Sequence, residues 1–165
     1  GGGGGARGGE QERGRSGGRT SKGPKKRGRG LASGARAVGE TGNLDAAVTL
    51  FTLAFETTTG ISDIVLRRTL LTHLVVEQTR VGRLADAFKT AGQIRDKKIQ
   101  AETLFAMAEV LLEKGQYTEA LRLTGYIPYI GLRGPIYARV ALARGERGDA
   151  VAASDLLAKI GRAHV

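Results

Sequence analysis

Gly82-Arg-Leu-Ala-Asp-Ala87, Gly115-Gln-Tyr-Thr-Glu-Ala120 and Gly148-Asp-Ala-Val-Ala-Ala153 are three copies of one pattern, spaced 33 residues apart both times. Each opens on a glycine and reaches an alanine five residues later. The glycine can stop a helix by taking a left-handed C-terminal conformation, and the alanine begins the interior of the next helix, where a small side chain lets two helices approach closely. A fourth copy, Gly42-Asn-Leu-Asp-Ala-Ala47, lies forty residues before Gly82. The extra length implies a longer connection in the first unit, around Thr57-Thr-Thr-Gly-Ile61. Ile94 and Ile127 fall at the same interval of 33, and Ile160 extends the series.

Between the glycines, apolar residues recur at three- and four-residue intervals, as in Ile64, Leu71, Leu74 and Val75, then Leu104, Met107, Ala108, Leu111 and Leu112. That is the period of an amphipathic helix. Helices are predicted over 43–57, 62–80, 84–94, 98–113, 117–126, 135–145 and 149–159, and no strand is indicated. A further helix over 31–40 is opposed by Gly34 and Gly39, since an interior glycine costs about 1 kcal/mol relative to alanine. Helices this short are marginal alone, and an isolated pair has two apolar faces with one partner, so the pairs must stack.

These residues resemble the tetratricopeptide family, whose units are two antiparallel helices in about 34 residues. Gly115, Tyr117 and Ala120 look like the family's turn glycine, its following large residue and the small residue of the second helix. Gly82, Leu84 and Ala87 fit the same pattern, as do Gly42, Leu44 and Ala47, whereas Gly148, Ala150 and Ala153 lack the large residue. Val75, Ala108 and Ala141 stand seven residues before the later glycines, where the family has a small residue. No tryptophan opens a repeat, the period is one residue short, and Pro128 and Pro135 do not sit where the family's closing proline does. The resemblance covers residues 42–159 and implies an all-α, right-handed α-solenoid of three to four antiparallel helix pairs, a protein-interaction scaffold whose concave face is lined by the first helix of each pair. It places Thr72, Val76 and Thr79 of one repeat and Phe105, Glu109 and Leu112 of the next on that face, where a partner's peptide or helix would lie.

Composition divides the chain. Residues 1–30 hold 13 of the 26 glycines, and their nine Lys or Arg against two Glu carry seven of the ten net positive charges. The segment has no Val, Ile, Met, Phe, Tyr or Trp, so it has little apolar surface with which to offset the entropy of ordering, and residues 1–30 are expected to form a disordered arm. Residues 31–159 form the expected repeat domain. Ile160-Gly-Arg-Ala-His-Val165 reads like the translation of a common sequencing adapter and is set aside as a non-native tail, and the opening at Gly1 suggests that the natural start is missing. In the arm, Arg7-Gly-Gly9, Gly17-Gly-Arg19 and Lys25-Lys-Arg-Gly-Arg29 resemble the arginine-glycine segments of RNA-binding proteins. The alternative function is therefore nonspecific binding of RNA or DNA through Arg7, Arg13, Arg15, Arg19, Lys25, Lys26, Arg27 and Arg29, whose cations would release counterions from phosphates. The arm has no aromatic residue on which a base could stack.

No catalytic pattern stands out, and neither a metal nor a cofactor is expected. The chain has no cysteine, which excludes disulfides and thiolate metal sites. Of the two histidines, His164 lies in the tail, and His73 has no nucleophile or metal partner within helical reach, so it reads as a structural residue. Gly18 to Gly23 suggests a phosphate loop, but Pro24-Lys25 follows where Lys and then a hydroxyl are required, and no strand precedes it. Glu109 and Glu113 are four apart on one helix, as on a solvated helix edge. No apolar run approaches the roughly 18 to 20 residues of a membrane span, so no membrane partner is expected, and the compartment is left open with the cytoplasm favoured.

Overall fold

The structure, a computed structural model, describes residues 23–163, with side chains described through residue 161. It holds eight α-helices: α1 Gly23–Glu40, α2 Leu44–Thr59, α3 Ile64–Arg80, α4 Leu84–Ala91, α5 Lys97–Glu113, α6 Tyr117–Leu123, α7 Ile130–Glu146 and α8 Ala150–Ala163. One 3-10 turn, Thr124–Tyr126, prolongs α6. Among the described residues there is no strand.

The helices pair at the glycines. Among the described residues, Gly42, Gly82, Gly115 and Gly148 are those with positive φ, from +72° to +94°, and each sits in the turn between the two helices of a pair. At the last three the same double closure recurs. The amide after the glycine donates to a carbonyl five residues back, Arg83 to Gln78, Gln116 to Leu111 and Asp149 to Arg144, while the glycine amide donates three residues back, all at 2.8–3.0 Å. These bonds use the carbonyls that a helix C-terminus leaves open. At Gly42 the glycine bond to Gly39 is kept, but the Val38 carbonyl accepts from the Thr41 hydroxyl at 2.6 Å.

A second device repeats between pairs. Ile61, Ile94 and Ile127 are buried, and each of their carbonyls accepts from a side chain six residues on: Arg67 at 3.0 Å, Gln100 at 3.0 Å and Arg133 at 2.9 Å. Asp63 and Asp96, also 33 apart, cap α3 and α5 by accepting the amides two and three residues ahead. Tyr129 holds the corresponding place before α7 and makes no side-chain cap.

Contacts between pairs fix the direction of the first helices. The Ser33 hydroxyl meets His73 Nε2 at 3.3 Å, Arg36 pairs with Glu77, and Gly39 lies against Val81. One pair further on, Arg68 meets Asp96 at 3.5 Å, Thr72 bonds Thr103 at 2.8 Å, and the Lys114 ammonium donates to the Arg80 carbonyl at 2.7 Å. In both series the numbers rise together, so α1, α3 and α5 run parallel. Lys97 and Gln100 share a cleft with Arg133 and Tyr137, and Gly115 shares one with Arg144, which adds α7 in the same direction. One apolar cluster spans α3 to α8 around Leu104, Met107, Leu111 and Ile136, and a second joins α1 to α2 and α3 through Ala35, Phe51, Ala54 and Leu74.

Four expectations need correction, on the arm, the helix over 31–40, the connection in the first unit and the start of α7. Of the arm expected to be disordered over residues 1–30, residues 1–22 lie outside the described residues and 23–30 are helical, and the helix opposed by Gly34 and Gly39 exists as part of α1. Its glycines serve close packing: a Cβ at Gly28 would stand 3.3 Å from Leu70 Cδ1, and one at Gly39 would stand 2.9 Å from Val81 Cγ1. With Ala32 and Ala35 they make a small-residue stripe that lets α1 approach α2 and α3, and tertiary contact outweighs low helix propensity. The seven extra residues of the first unit do not lengthen a loop, because α2 has 16 residues where α4 has 8. Finally, α7 starts at Ile130 and carries Pro135 inside it, near the helix start, where Pro135 and Gly131, the residue whose carbonyl loses its helical donor, are both exposed. The segment set aside as a tail continues α8 through Ala163, with Ile160 against Gly134.

Glu77, with a side chain only 8 % exposed, is bracketed by Arg36 and by Arg80 at 3.5 Å. The hydrogen bonds from Arg36 to Glu77 and Glu40 hold the guanidinium above the ordinary arginine value. A cation with a raised folded-state value contributes stability that is complete below the unfolded value and fades only as pH climbs through the folded one, so Arg36 adds no pH dependence at neutral pH.

Candidate functional site

The six positions expected on a concave face divide on the structure. Thr79 is fully buried with its hydroxyl bonded to the Val75 carbonyl at 2.7 Å, and Leu112 is buried in the larger apolar cluster. Neither reaches the surface, which corrects their assignment to a partner-binding face. Thr72 is half-buried and spent on Thr103 across the seam between α3 and α5, and Phe105 is partly buried against the same cluster. The physical reason lies in the register: 72, 75 and 79 face the next pair, and a side chain there fills the seam. Val76 is half-buried and Glu109 is exposed.

Two of the open concavities lie between second helices. Because α4 is short, it leaves a cleft on each side, each with about 300 Å3 of space. The cleft toward α2 has walls of Val48, Phe51 and Phe55 and a polar border of Arg83, Asp86 and Gln93. Arg83 and Asp86 form an ion pair at 2.8 Å, which fixes that border. Gln78 lines this cleft although it is buried, and its Oε1 has no hydrogen-bond partner among the described residues. A buried acceptor without a donor costs free energy that a donor arriving with a ligand would recover.

The cleft on the other side, toward α6, is more apolar. Leu84, Ala85, Phe88, Met107, Leu111 and Leu123 line it, with Glu119 and Arg122 at its rim. Phe88 is 38 % exposed and meets Tyr126 edge-on, with ring centroids 4.7 Å apart and an interplanar angle of 66°. Two aromatic rings held together at a surface offer large apolar area with little rotamer freedom left to lose. The sequence reading missed Phe88, Gln78 and Tyr126. A signal was present for the first: Phe88 shares its repeat position with Leu121 and Ser154 and is the one aromatic of the three.

Lys25, Lys26, Arg27 and Arg29 are exposed on α1, whereas Arg7, Arg13, Arg15 and Arg19 lie outside the described residues. His73 is half-buried and bonded to Ser33, as a structural histidine would be. Glu109 and Glu113 are exposed. Among the described residues no group of His, Asp and Glu is placed to hold a metal ion, and no helix is long and apolar enough to cross a membrane. Comparison with protein-family models, with curated proteins and with solved structures yields no match.

Proposed function

We propose that the chain is a non-catalytic interaction scaffold, a right-handed α-solenoid of tetratricopeptide-like pairs that binds a peptide or helix of a partner protein across the second-helix face. The observation that supports this reading is the pair of clefts flanking α4, one apolar and bordered by Phe88 and Tyr126, the other carrying the unsatisfied Gln78 oxygen. An amphipathic partner crossing α4 would set apolar anchors beside Phe88 and bring a donor to Gln78, as in helix-in-groove recognition. The parallel first helices act as the rigid support, and their seam residues carry stability.

Selection of displayed amphipathic peptides on the full chain tests the reading. Enriched peptides should carry apolar anchors at three- and four-residue intervals and should lose about tenfold or more in affinity against Phe88→Ala, the penalty of removing a hot-spot aromatic. Their affinity should be unchanged against Glu109→Ala, on the first-helix face. Failure to enrich any such peptide, or equal binding by Phe88→Ala and the parent, would refute the second-helix site.

A further inference from the structure

Parallel first helices bring the starts of α1, α3, α5 and α7 to one edge of the molecule, together with the ends of α2, α4, α6 and α8. Charge is not shared evenly between this edge and the opposite one. At the edge where first helices start, Lys25, Lys26, Arg27 and Arg29 are all exposed on α1, and Arg95, Lys97 and Lys98 are exposed at the entry to α5. Of the acids there, Asp63 and Asp96 cap α3 and α5 and Asp96 also meets Arg68, while Glu56 and Glu102 are exposed, so the cations remain in excess. At the opposite edge the charges answer one another, as in Arg36 with Glu40 and Glu77, and Arg83 with Asp86. First helices packed about 8–10 Å apart make the basic edge about 30 Å long over three steps.

Beside the second basic cluster lies a cleft with about 440 Å3 of space, lined by Lys97, Gln100, Tyr126, Pro128, Arg133 and Tyr137. Arg133 is held there by its bond to the Ile127 carbonyl, which leaves its remaining N–H groups to donate elsewhere. Tyr126, which lines this cleft, is 62 % exposed, and Tyr129, three residues on at the entry to α7, is 41 % exposed. Exposed cations beside exposed aromatic rings suit phosphates with unstacked bases between them. A duplex would use the charge and leave the rings idle.

We propose that this edge binds single-stranded nucleic acid, with phosphates along Arg95, Lys97, Lys98 and Arg133 and bases against Tyr129 and Tyr126. The site is separate from the partner clefts except for Tyr126, which borders both. Ile64 and Val65, exposed at the start of α3, make an anionic lipid surface the competing occupant. The concave, ring-lined shape of the cleft favours bases over a flat bilayer.

The test is fluorescence anisotropy of the full chain with an oligothymidylate of about twenty nucleotides, between about 50 and about 200 mM salt. The combined variant Arg95→Gln, Lys97→Gln, Lys98→Gln should bind at least about tenfold more weakly and show a salt slope smaller by about two, since each phosphate contact to a single strand contributes about 0.7. Tyr129→Ala should weaken binding by about fivefold or more, as loss of one stacked base does, and should leave duplex binding unchanged. A matching variant with Arg7, Arg13, Arg15 and Arg19 each changed to Gln should keep at least half of the parent affinity. No measurable binding by the parent, or a triple variant within twofold of it, would overturn the proposal. So would anionic phosphatidylserine vesicles that bind as tightly as the oligonucleotide and lose that binding on Ile64→Ser with Val65→Ser.

Discussion

At the residue scale, the turn glycines carry the most specific requirement in the chain. Gly115 has φ +72° and nothing within 4 Å of where a Cβ would stand, so a substitution there meets only the backbone cost. An L-residue in the left-handed region costs about 1–2 kcal/mol, and Gly115→Ala should destabilise the fold by that amount in urea unfolding, with Gly115→Asn costing less because asparagine tolerates this conformation. An unchanged midpoint for Gly115→Ala would mean that the turn is not closed as described. These glycines were legible in the sequence because identity alone marks them: few other residues fit a positive φ. The linker devices were less so. The donors to the Ile61, Ile94 and Ile127 carbonyls are Arg67, Gln100 and Arg133, and what repeats is reach and donor capacity, which letter-by-letter comparison does not register.

At the scale of the element, α1 shows where sequence reasoning fell short. A segment with glycine at 23, 28, 30, 34 and 39 reads as a poor helix, and propensity alone would leave it unfolded. The stripe Gly28, Ala32, Ala35 and Gly39 has helical spacing, but small residues look alike whether they sit in a coil or beneath a neighbouring helix. The two roles of glycine in this helix separate by substitution. Gly30 is exposed with open space around it, so Gly30→Ala should stabilise the protein by about 0.5–1 kcal/mol through helix propensity. At Gly39 the added methyl would come within 2.9 Å of Val81 and 3.3 Å of Ala47, and overpacking of about 1–3 kcal/mol should outweigh the same gain. Thermal unfolding of the two variants reads the sign of each. A stabilising Gly39→Ala would show that α1 does not lie against α2 and Val81.

On the scale of the whole molecule, the period of 33 residues carried much of the helix pairing, because the turns at Gly82, Gly115 and Gly148 close alike and Ile61, Ile94 and Ile127 recur in the linkers. The site was less legible. Which side of a helix faces a neighbouring pair depends on how pairs lean on one another, and that places Thr79 and Leu112 in seams and the open clefts beside α4. The basic edge also exists only once the starts of the first helices lie together, since their cations are scattered along the sequence.

Parallel first helices are the claim on which both proposed sites stand, and the cysteine-free chain suits paired spin labels introduced at exposed positions. Labels at Val65→Cys with Lys98→Cys report start to start, Arg80→Cys with Glu113→Cys end to end, and Val65→Cys with Glu113→Cys start to end. A helix of 17 residues spans about 25 Å, so the two like-end distances should be similar and the start-to-end distance longer by roughly 10–20 Å once the inter-helix spacing is included. A start-to-end distance shorter than the start-to-start one would mean that α3 and α5 run antiparallel, and the stacked array would be contradicted.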